Sequence, residues 1–371
     1  MKKPKKLLPK PKLPHPTKLP AAVKRTIKRT KPTEERVSEA LENVPRITNE
    51  TVAEHREDVL SSARKYIYPL QHSKHRVVRI SVSLAIVVIL GFLVYSGLSL
   101  YRFQATSGFM YDVTRVIPFP VAKVGSNWVS YESYLFELRR NMHYYVTQQQ
   151  TDFSTKDGKQ LLTRLKQQAL NQSIQQAYVK QLAAKNHVSV SPQAVDQEVA
   201  LVRSQNRLGN SDQVFRNVLN QYWGWNEADF KRELQSQLLQ QAVVAKLDTT
   251  TQTRAQTALK QLKQGVSFMK VAERYSDDTA TQARGGQYTG AITQNDPEVP
   301  PQITAALFQL KTHQVSTLIN TGYTLEILRV LSVNAGNGSR TAAHIQFTFQ
   351  PVTTYIEPLQ KQEPAHRYMT P

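Results

Sequence analysis

Few residues in this chain could hold a metal or a nucleotide. Its 371 residues include 9 histidines and no cysteine, and none of the histidines forms an HExxH motif, which would set two imidazoles on one face of a helix. Gly285 and Gly286 lack the strand-to-helix setting of a phosphate-binding loop. We therefore assign no cofactor and no metal, and the lack of thiols excludes disulfides and a cysteine nucleophile.

An uncharged segment of 22 residues, 80–101, reads ISVSLAIVVILGFLVYSGLSLY. As a helix it would span about 33 Å, close to the roughly 30 Å hydrocarbon core of a bilayer. A buried core helix is usually shorter, and a cleaved signal peptide lies nearer the amino terminus. We expect a transmembrane helix with its flanks over residues 76–103.

The charges on the two sides of this segment are unequal. Residues 1–79 hold 20 Lys+Arg against 8 Asp+Glu, out of 48 and 28 in total. Because positive residues next to a span stay in the cytoplasm, we expect a single-pass protein of the cell membrane with a cytoplasmic amino terminus and extracytoplasmic carboxy-terminal domains. A large exported part without cysteine suggests a bacterial envelope.

Lysine and proline alternate at the start of the chain, MKKPKKLLPKPKLPHPTKLP. This composition cannot bury enough apolar surface to fold, so residues 1–75 are expected to be a basic, largely disordered tail. Its charge could attract anionic lipid or nucleic acid. No aromatic residues are interleaved with the charges as in nucleic-acid-binding segments, so we expect membrane lipid as the partner and no specific nucleic acid.

The segment 120–248 has the caps and periodicity of a mainly helical domain. Apolar residues recur at three- and four-residue steps between residues 159 and 185. Ser130, Ser191 and Asn226 stand where N-caps are expected. The order of a PVAKVG strand and turn, a long helix, and YWGWNEADFKREL resembles the amino-terminal chaperone domain of SurA and PrsA-type foldases.

From residue 254 the pattern changes to an α+β order. A helix closed by Gly265, a helix capped by Ser267, a Gly-Gly turn and a helix ending near Leu310 precede the strand TLEILRVLSV. The succession LKQGVSFMKVAERYSDD, GG, AALFQL and GYTLEILRV is similar to the parvulin peptidyl-prolyl isomerase domain. The resemblance implies isomerisation of X–Pro bonds, which needs a proline pocket and a few polar groups rather than covalent chemistry.

The parvulin resemblance also implies site residues. Asp278 occupies the position of the family's acid or thiol, and Phe308 matches an aromatic residue of the following helix. Tyr288, Val299 and Ile303 stand where the family has the leucine, methionine and second aromatic residue of its substrate pocket.

The resemblance further implies two catalytic histidines. The second position holds Thr324 instead. The first belongs to a strand that is missing before the first helix of the domain, but RTAAHIQF resembles this strand and supplies His344. The strand, over residues 340–349, could complete the parvulin sheet, as in a circular permutation, or begin a truncated second repeat. His344 is then either catalytic or a buried histidine that bridges the sheet.

These observations predict an α+β protein with a single transmembrane helix, a mainly helical SurA-like chaperone domain and a parvulin-like domain. The expected parts are the basic tail (1–75), the transmembrane helix with its flanks (76–103), the chaperone domain (104–249), the parvulin-like domain (250–334) and the carboxy-terminal segment (335–371). The expected function is a membrane-anchored extracytoplasmic foldase: a parvulin-type isomerase with a degenerate active site and a chaperone whose clients are unfolded or proline-containing polypeptides. A catalytically inactive parvulin-fold chaperone and an envelope scaffold with a basic tail are the alternatives.

Overall fold

The computed structural model describes residues 48–67, 74–204 and 211–370. The chain divides between residues 86 and 87 into two units. The first contains helix α1 (Asn49–Ile67) and the start of helix α2 (Lys74–Gly97), which continues into the second unit. Most of the expected basic tail lies outside the described residues.

Helix α2 and the π-helical turn after it, Leu98–Arg102, form the one helical stretch in the described ranges that is long and apolar enough to cross a membrane. Towards its end, other parts of the second unit cover it. Ser96 and Leu100 are fully buried, and the hydroxyl of Tyr131 donates a hydrogen bond of 2.6 Å to the Leu100 carbonyl. Leu100 therefore belongs to the same buried core as Tyr131.

Helices around a small sheet form the amino-terminal part of the second unit. The predicted N-caps are confirmed at Ser130 and Asn226, whose side chains accept backbone N–H groups at 3.1 and 2.9 Å. The elements are α3 (Gly108–Val116), β1 (Pro120–Val124), β2 (Asn127–Ser130), α4 (Tyr131–Gln149), α5 (Lys156–Lys185), α6 (Pro192–Ser204), α7 (Asp212–Trp223) and α8 (Glu227–Leu247). Helix α5 packs against α4, α8 and both strands, so it forms the centre of this part.

The carboxy-terminal part has the α+β order expected from the sequence. Its elements are α9 (Thr249–Lys263), α10 (Phe268–Tyr275), α11 (Thr279–Gln282), α12 (Pro301–Gln309), β3 (Ile319–Asn320), β4 (Thr324–Val333), β5 (Arg340–Thr348), α13 (Thr353–Gln362) and β6 (His366–Arg367). The whole fold is α+β.

Strand β5 pairs antiparallel with β4 along the length of both strands, from Thr324↔Thr348 to Val333↔Arg340, in a sheet of order β3-β4-β5. On one face Ile327 and Phe347 are fully buried in the core that includes α9 and α10. On the other face Leu328 packs in a second cluster with residues of α12. His344 pairs with Leu328 and so belongs to this second face.

After β5 the chain returns to the helical part. Strand β6 pairs antiparallel with β1, and the hydroxyl of Tyr178 on α5 donates a hydrogen bond of 2.7 Å to the Glu363 carbonyl. Met369 is buried in the same core. The last residues of the chain thus stabilise the helical part, while β5 completes the sheet of the α+β part.

Candidate active site

A buried histidine stands between two carboxylates at the centre of the site. His344 is 4% exposed; its Nε2 lies 2.9 Å from Oδ2 of Asp278, and its Nδ1 lies 3.0 Å from Oε2 of Glu326. A neutral imidazole donates from one nitrogen only, whereas the imidazolium donates from both. The geometry therefore favours the protonated ring.

Local folding brings these groups together. Glu326 and His344 are diagonal neighbours on one face of the β4–β5 pair, because Glu326 pairs with Gln346 and His344 with Leu328. Asp278 is the N-cap of the short helix α11, where it accepts the backbone N–H of Ala280 at 3.1 Å. The end of this helix and the two strands thus place both carboxylates against one ring.

The titration of the network follows from these contacts. Burial lowers the pKa of His344, but hydrogen bonds and charge from Glu326 and Asp278 outweigh it and raise the pKa above its ordinary 6.5. Burial raises the pKa of Asp278, but hydrogen bonds from Thr281, His344 and the Ala280 amide outweigh it and hold the pKa below its ordinary 3.8. Each shift favours the charged form of its group, so the two shifts together favour the ion pair.

Tyr288 covers the histidine from the other side. Its ring stacks on His344 with centroids 4.4 Å apart and an interplanar angle of 23°. The neighbouring turn allows this approach because Gly286 has a φ of +79°, and a Cβ there would lie 2.0 Å from the carbonyl oxygen of His344. Burial raises the pKa of Tyr288 well above its ordinary 10.0, so its hydroxyl stays neutral.

A cleft of about 780 Å³ opens beside this network. Its wall in the α+β part includes five of the predicted site residues: Tyr288, Val299, Ile303, Thr324 and His344. The opposite wall comes from α6 and α8, with side chains that include Val202, Leu234, Leu238, Gln241 and Ala242. Apolar side chains thus line both sides of a cleft that has a charged network at one end.

Two predicted site residues lie outside the cleft lining. Asp278 reaches the site through His344, directly and by way of the Thr281 hydroxyl, which contacts both side chains. Phe308, expected in the substrate pocket, instead lies under the guanidinium of Arg340, which is 4.6 Å from the ring centroid. That guanidinium also donates to the carbonyl oxygens of Leu310 and Phe308 at 2.6 and 2.8 Å, so the end of α12 holds the ring away from the cleft.

Thr324, which replaces the second histidine, is connected to the network through Glu326. Its hydroxyl donates a hydrogen bond of 2.8 Å to Oε1 of Glu326, whose other oxygen faces His344. Glu326 is 1% exposed and is missing from the sequence prediction. An acidic residue between the apolar Leu325 and Ile327 is the signal that could have identified it. Within the described ranges no group of His, Asp and Glu side chains is arranged to hold a metal ion.

Comparison with known proteins agrees with this architecture. Residues 70–244 match the family model of the SurA-like N-terminal domain, and residues 238–332 match that of the PPIC-type PPIase domain. A parvulin-like PPIase of Rickettsia prowazekii is 36% identical over 93 residues, which are 25% of this chain and 33% of the relative. The foldase protein PrsA of Levilactobacillus brevis is 29% identical over 216 residues, which are 50% of this chain and 65% of the relative.

Among solved structures, foldase protein PrsA from Streptococcus pneumoniae is similar with 17% sequence identity and a TM-score of 0.18, over 66% of this chain and 84% of that one. The chain spans between a third and two thirds of the length of the curated relatives named here. Residues 70–332 thus carry a SurA-like N-terminal domain followed by a PPIC-type PPIase domain, which is the domain order of a SurA/PrsA-type foldase.

Proposed function

We propose that this chain is a parvulin-type peptidyl-prolyl isomerase and a chaperone for exported proteins, anchored in the membrane by α2. The observation that carries the proposal is the cleft beside His344, where apolar walls meet a charged hydrogen-bond network. Its volume of about 780 Å³ is within the roughly 300–1,000 Å³ of sites that enclose small ligands. A short proline-containing segment of a client chain would fit there.

Rotation about an X–Pro bond requires loss of amide resonance, against a barrier of about 18–20 kcal/mol. The planar amide is more dipolar than the twisted one, because resonance moves negative charge to oxygen and positive charge to nitrogen. Apolar walls therefore bind the twisted amide in preference to the planar one, and such differential binding lowers a barrier. Val299 and Ile303 provide such a wall and would receive the proline ring.

The polar end of the cleft would orient the client. Tyr288 keeps a neutral hydroxyl that can donate a hydrogen bond, for example to the prolyl nitrogen, whose lone pair becomes available as the amide twists. His344, nearly inaccessible itself, would hold this ring by stacking. Asp278 and Thr324 would act through the histidine and Glu326 respectively, so we assign them positioning roles.

A binding-only chaperone is a second candidate, and one substitution favours it. Thr324 has no imidazole, so the site lacks one of the two histidines that the parvulin resemblance implies. Binding of unfolded chains needs only accessible apolar surface, which the walls of the cleft retain. We accordingly propose slower isomerisation than in a parvulin with both histidines, and undiminished binding.

Membrane anchoring is supported by the helical stretch His75–Arg102. Arg79 and Arg102 flank its uncharged segment, as positive residues do at the ends of membrane spans. The larger positive excess before the helix supports a cytoplasmic amino terminus, with the cleft outside the cytoplasm.

The isomerase proposal can be tested with the full chain in detergent or nanodiscs, using a protease-coupled assay of X–Pro tetrapeptides. Tyr288→Ala removes a cleft wall and should lower kcat/KM at least tenfold. The matched control is Phe308→Leu, which alters an aromatic residue of the same part outside the cleft and should leave kcat/KM within about twofold. Equal loss in both variants, or no activity in the wild type, would refute catalysis in this cleft.

A further inference from the structure

A second groove, of about 550 Å³, lies between helices α5 and α8 and is lined entirely by polar side chains, eight of the eleven being amides. Helix α5 provides Arg164, Gln167, Gln168, Asn171, Gln172, Gln175 and Gln176, and helix α8 provides Glu233, Ser236, Gln237 and Gln240. We call this the amide groove. Its lining includes no apolar side chain and no excess of one charge.

The helical repeat explains how the groove forms. On both helices the lining positions recur at three- and four-residue steps, so each set forms one stripe. The opposite stripe of α5, which includes Ala169, Leu170 and Ala177, is buried in the core. The polar stripe extends from Arg164 to Gln176, about 18 Å at 1.5 Å per residue, which matches five to six residues of extended chain at roughly 3.3 Å each.

Several of these amides have unused hydrogen-bonding groups. Gln176 donates to Glu137, Asn171 accepts from Arg367, and Gln237 donates to Glu233. In the described part of the chain, no side-chain hydrogen bond is made by five others: Gln167, Gln168, Gln172, Gln175 and Gln240. Each free amide offers two donor hydrogens and an acceptor oxygen towards the groove.

The chemistry of the lining selects its ligand. A ladder of amides can donate and accept in alternation, which is the pattern that an extended polypeptide backbone presents on each side. Arg164 is the one cation of the lining and Glu233 the one anion, so a phosphate backbone would find no charge complement. No apolar side chain lines the groove to favour an apolar ligand. Backbone recognition would also be independent of the client's sequence.

The groove adjoins the cleft beside His344, because Gln237 lines both of them. We propose that the amide groove binds the extended backbone of an unfolded client chain, while the adjoining cleft receives its proline and apolar side chains. This inference rests on the proposed chaperone function and adds the part of the client that is recognised. It assigns client capture and isomerisation to neighbouring sites.

The test uses the full chain in nanodiscs and two probes: reduced, carboxymethylated α-lactalbumin as an unfolded chain, and an X–Pro tetrapeptide too short to reach both sites. Replacing Gln172 and Gln175 by Met keeps side-chain length and removes the amides. This double variant should bind the unfolded chain at least tenfold more weakly and isomerise the tetrapeptide at the wild-type rate. The control replaces Gln256 and Gln264, exposed on and after α9, and should bind like the wild type.

Unchanged binding in the Gln172/Gln175 variant, or an equal loss in both double variants at unchanged melting temperature, would overturn the inference and leave the groove as a solvated surface. An altered oligomeric state with retained binding would assign the groove to a second copy and also overturn it. If the wild type binds the unfolded chain through Gln172 and Gln175 but leaves the tetrapeptide unchanged, the groove stands and the isomerase proposal fails.

Discussion

His344 Nδ1 lies 3.0 Å from Glu326 Oε2 while its Nε2 lies 2.9 Å from Asp278 Oδ2, so a single buried ring contacts two carboxylates. A buried charge is tolerated where it is paired and hydrogen-bonded, and removal of one partner leaves the other uncompensated. The site is therefore sensitive both to pH and to neutralisation of either acid.

Stability of the folded chain should depend on pH through this pair. Because the pKa of His344 is raised in the folded state, its contribution to stability is fully present below pH 6.5, the ordinary pKa of histidine. This contribution is lost as pH rises through the folded-state pKa. Because the pKa of Asp278 is lowered in the folded state, its contribution to stability is present above pH 3.8, the ordinary pKa of aspartate. This contribution is lost as pH falls through the folded-state pKa. Both contributions are therefore present between pH 3.8 and pH 6.5.

Calorimetric melting of the wild type and of His344→Asn at a series of pH values checks this dependence. The melting temperature of the variant should fall furthest below that of the wild type between about pH 4 and 6.5, and the difference should be smaller at higher pH. A difference between the two proteins that is the same at every pH would show that the histidine stabilises by packing alone.

Glu326→Gln should change the charge of the histidine without removing the side chain. The neutral amide no longer favours the imidazolium, so the pKa of His344 should fall and the pH profile of isomerisation should shift with it. The His344 ring signals in an NMR titration report the pKa directly. Glu326→Asp, which keeps the carboxylate, should return the pKa of His344 part of the way to its wild-type value. An unaltered His344 titration in Glu326→Gln would exclude a positioning role for Glu326.

Local signals in the sequence identified the caps at Ser130 and Asn226 and the bounds of β4, because caps and β-branched runs depend on neighbouring residues. The side of α12 on which Phe308 packs depends on Arg340, far along the chain. The burial of Leu100 depends on Tyr131 in the same way. Such non-local contacts have no signature in the local pattern.

The candidate site likewise contains residues that local sequence patterns predict and residues that depend on contacts far along the chain. The sequence predicts Asp278 and His344 as site residues because each belongs to a short string of residues that resembles the parvulin domain. The sequence does not predict Glu326, because one acidic residue in a mostly apolar strand is compatible with a solvent-facing position until the pairing of β4 with β5 buries it. The amide groove combines stripes from α5 and α8, and neither stripe alone differs from an ordinary solvated helix face.

Strand β5 should be essential for stability. Phe347 is fully buried between the sheet and the core that includes α9 and α10, so Phe347→Ala should destabilise the protein by about 3–5 kcal/mol. Val333→Ala, at the 44% exposed end of β4, should cost less than about 1 kcal/mol. Urea unfolding of both variants measures the difference. Equal, small effects would show that β5 is dispensable for the fold.

The topology should follow the charge asymmetry around α2. Protease added to spheroplasts should digest the residues after Arg102 and spare the amino-terminal tail, which an epitope tag at each end would show on a blot. Replacing Lys74, Arg76 and Arg79 by Gln should raise the fraction of inverted chains. A wild-type chain whose large carboxy-terminal part survives while the tail is digested would reverse the orientation.

Exchange NMR on an X–Pro peptide, with the full chain added in catalytic amounts, tests the isomerase proposal most directly. The wild type should transfer magnetisation between the cis and trans signals in proportion to protein concentration, and Tyr288→Ala should reduce this rate at least tenfold. Chemical-shift changes that reveal peptide binding without any cis–trans exchange would contradict the proposal and identify the chain as a binding-only chaperone.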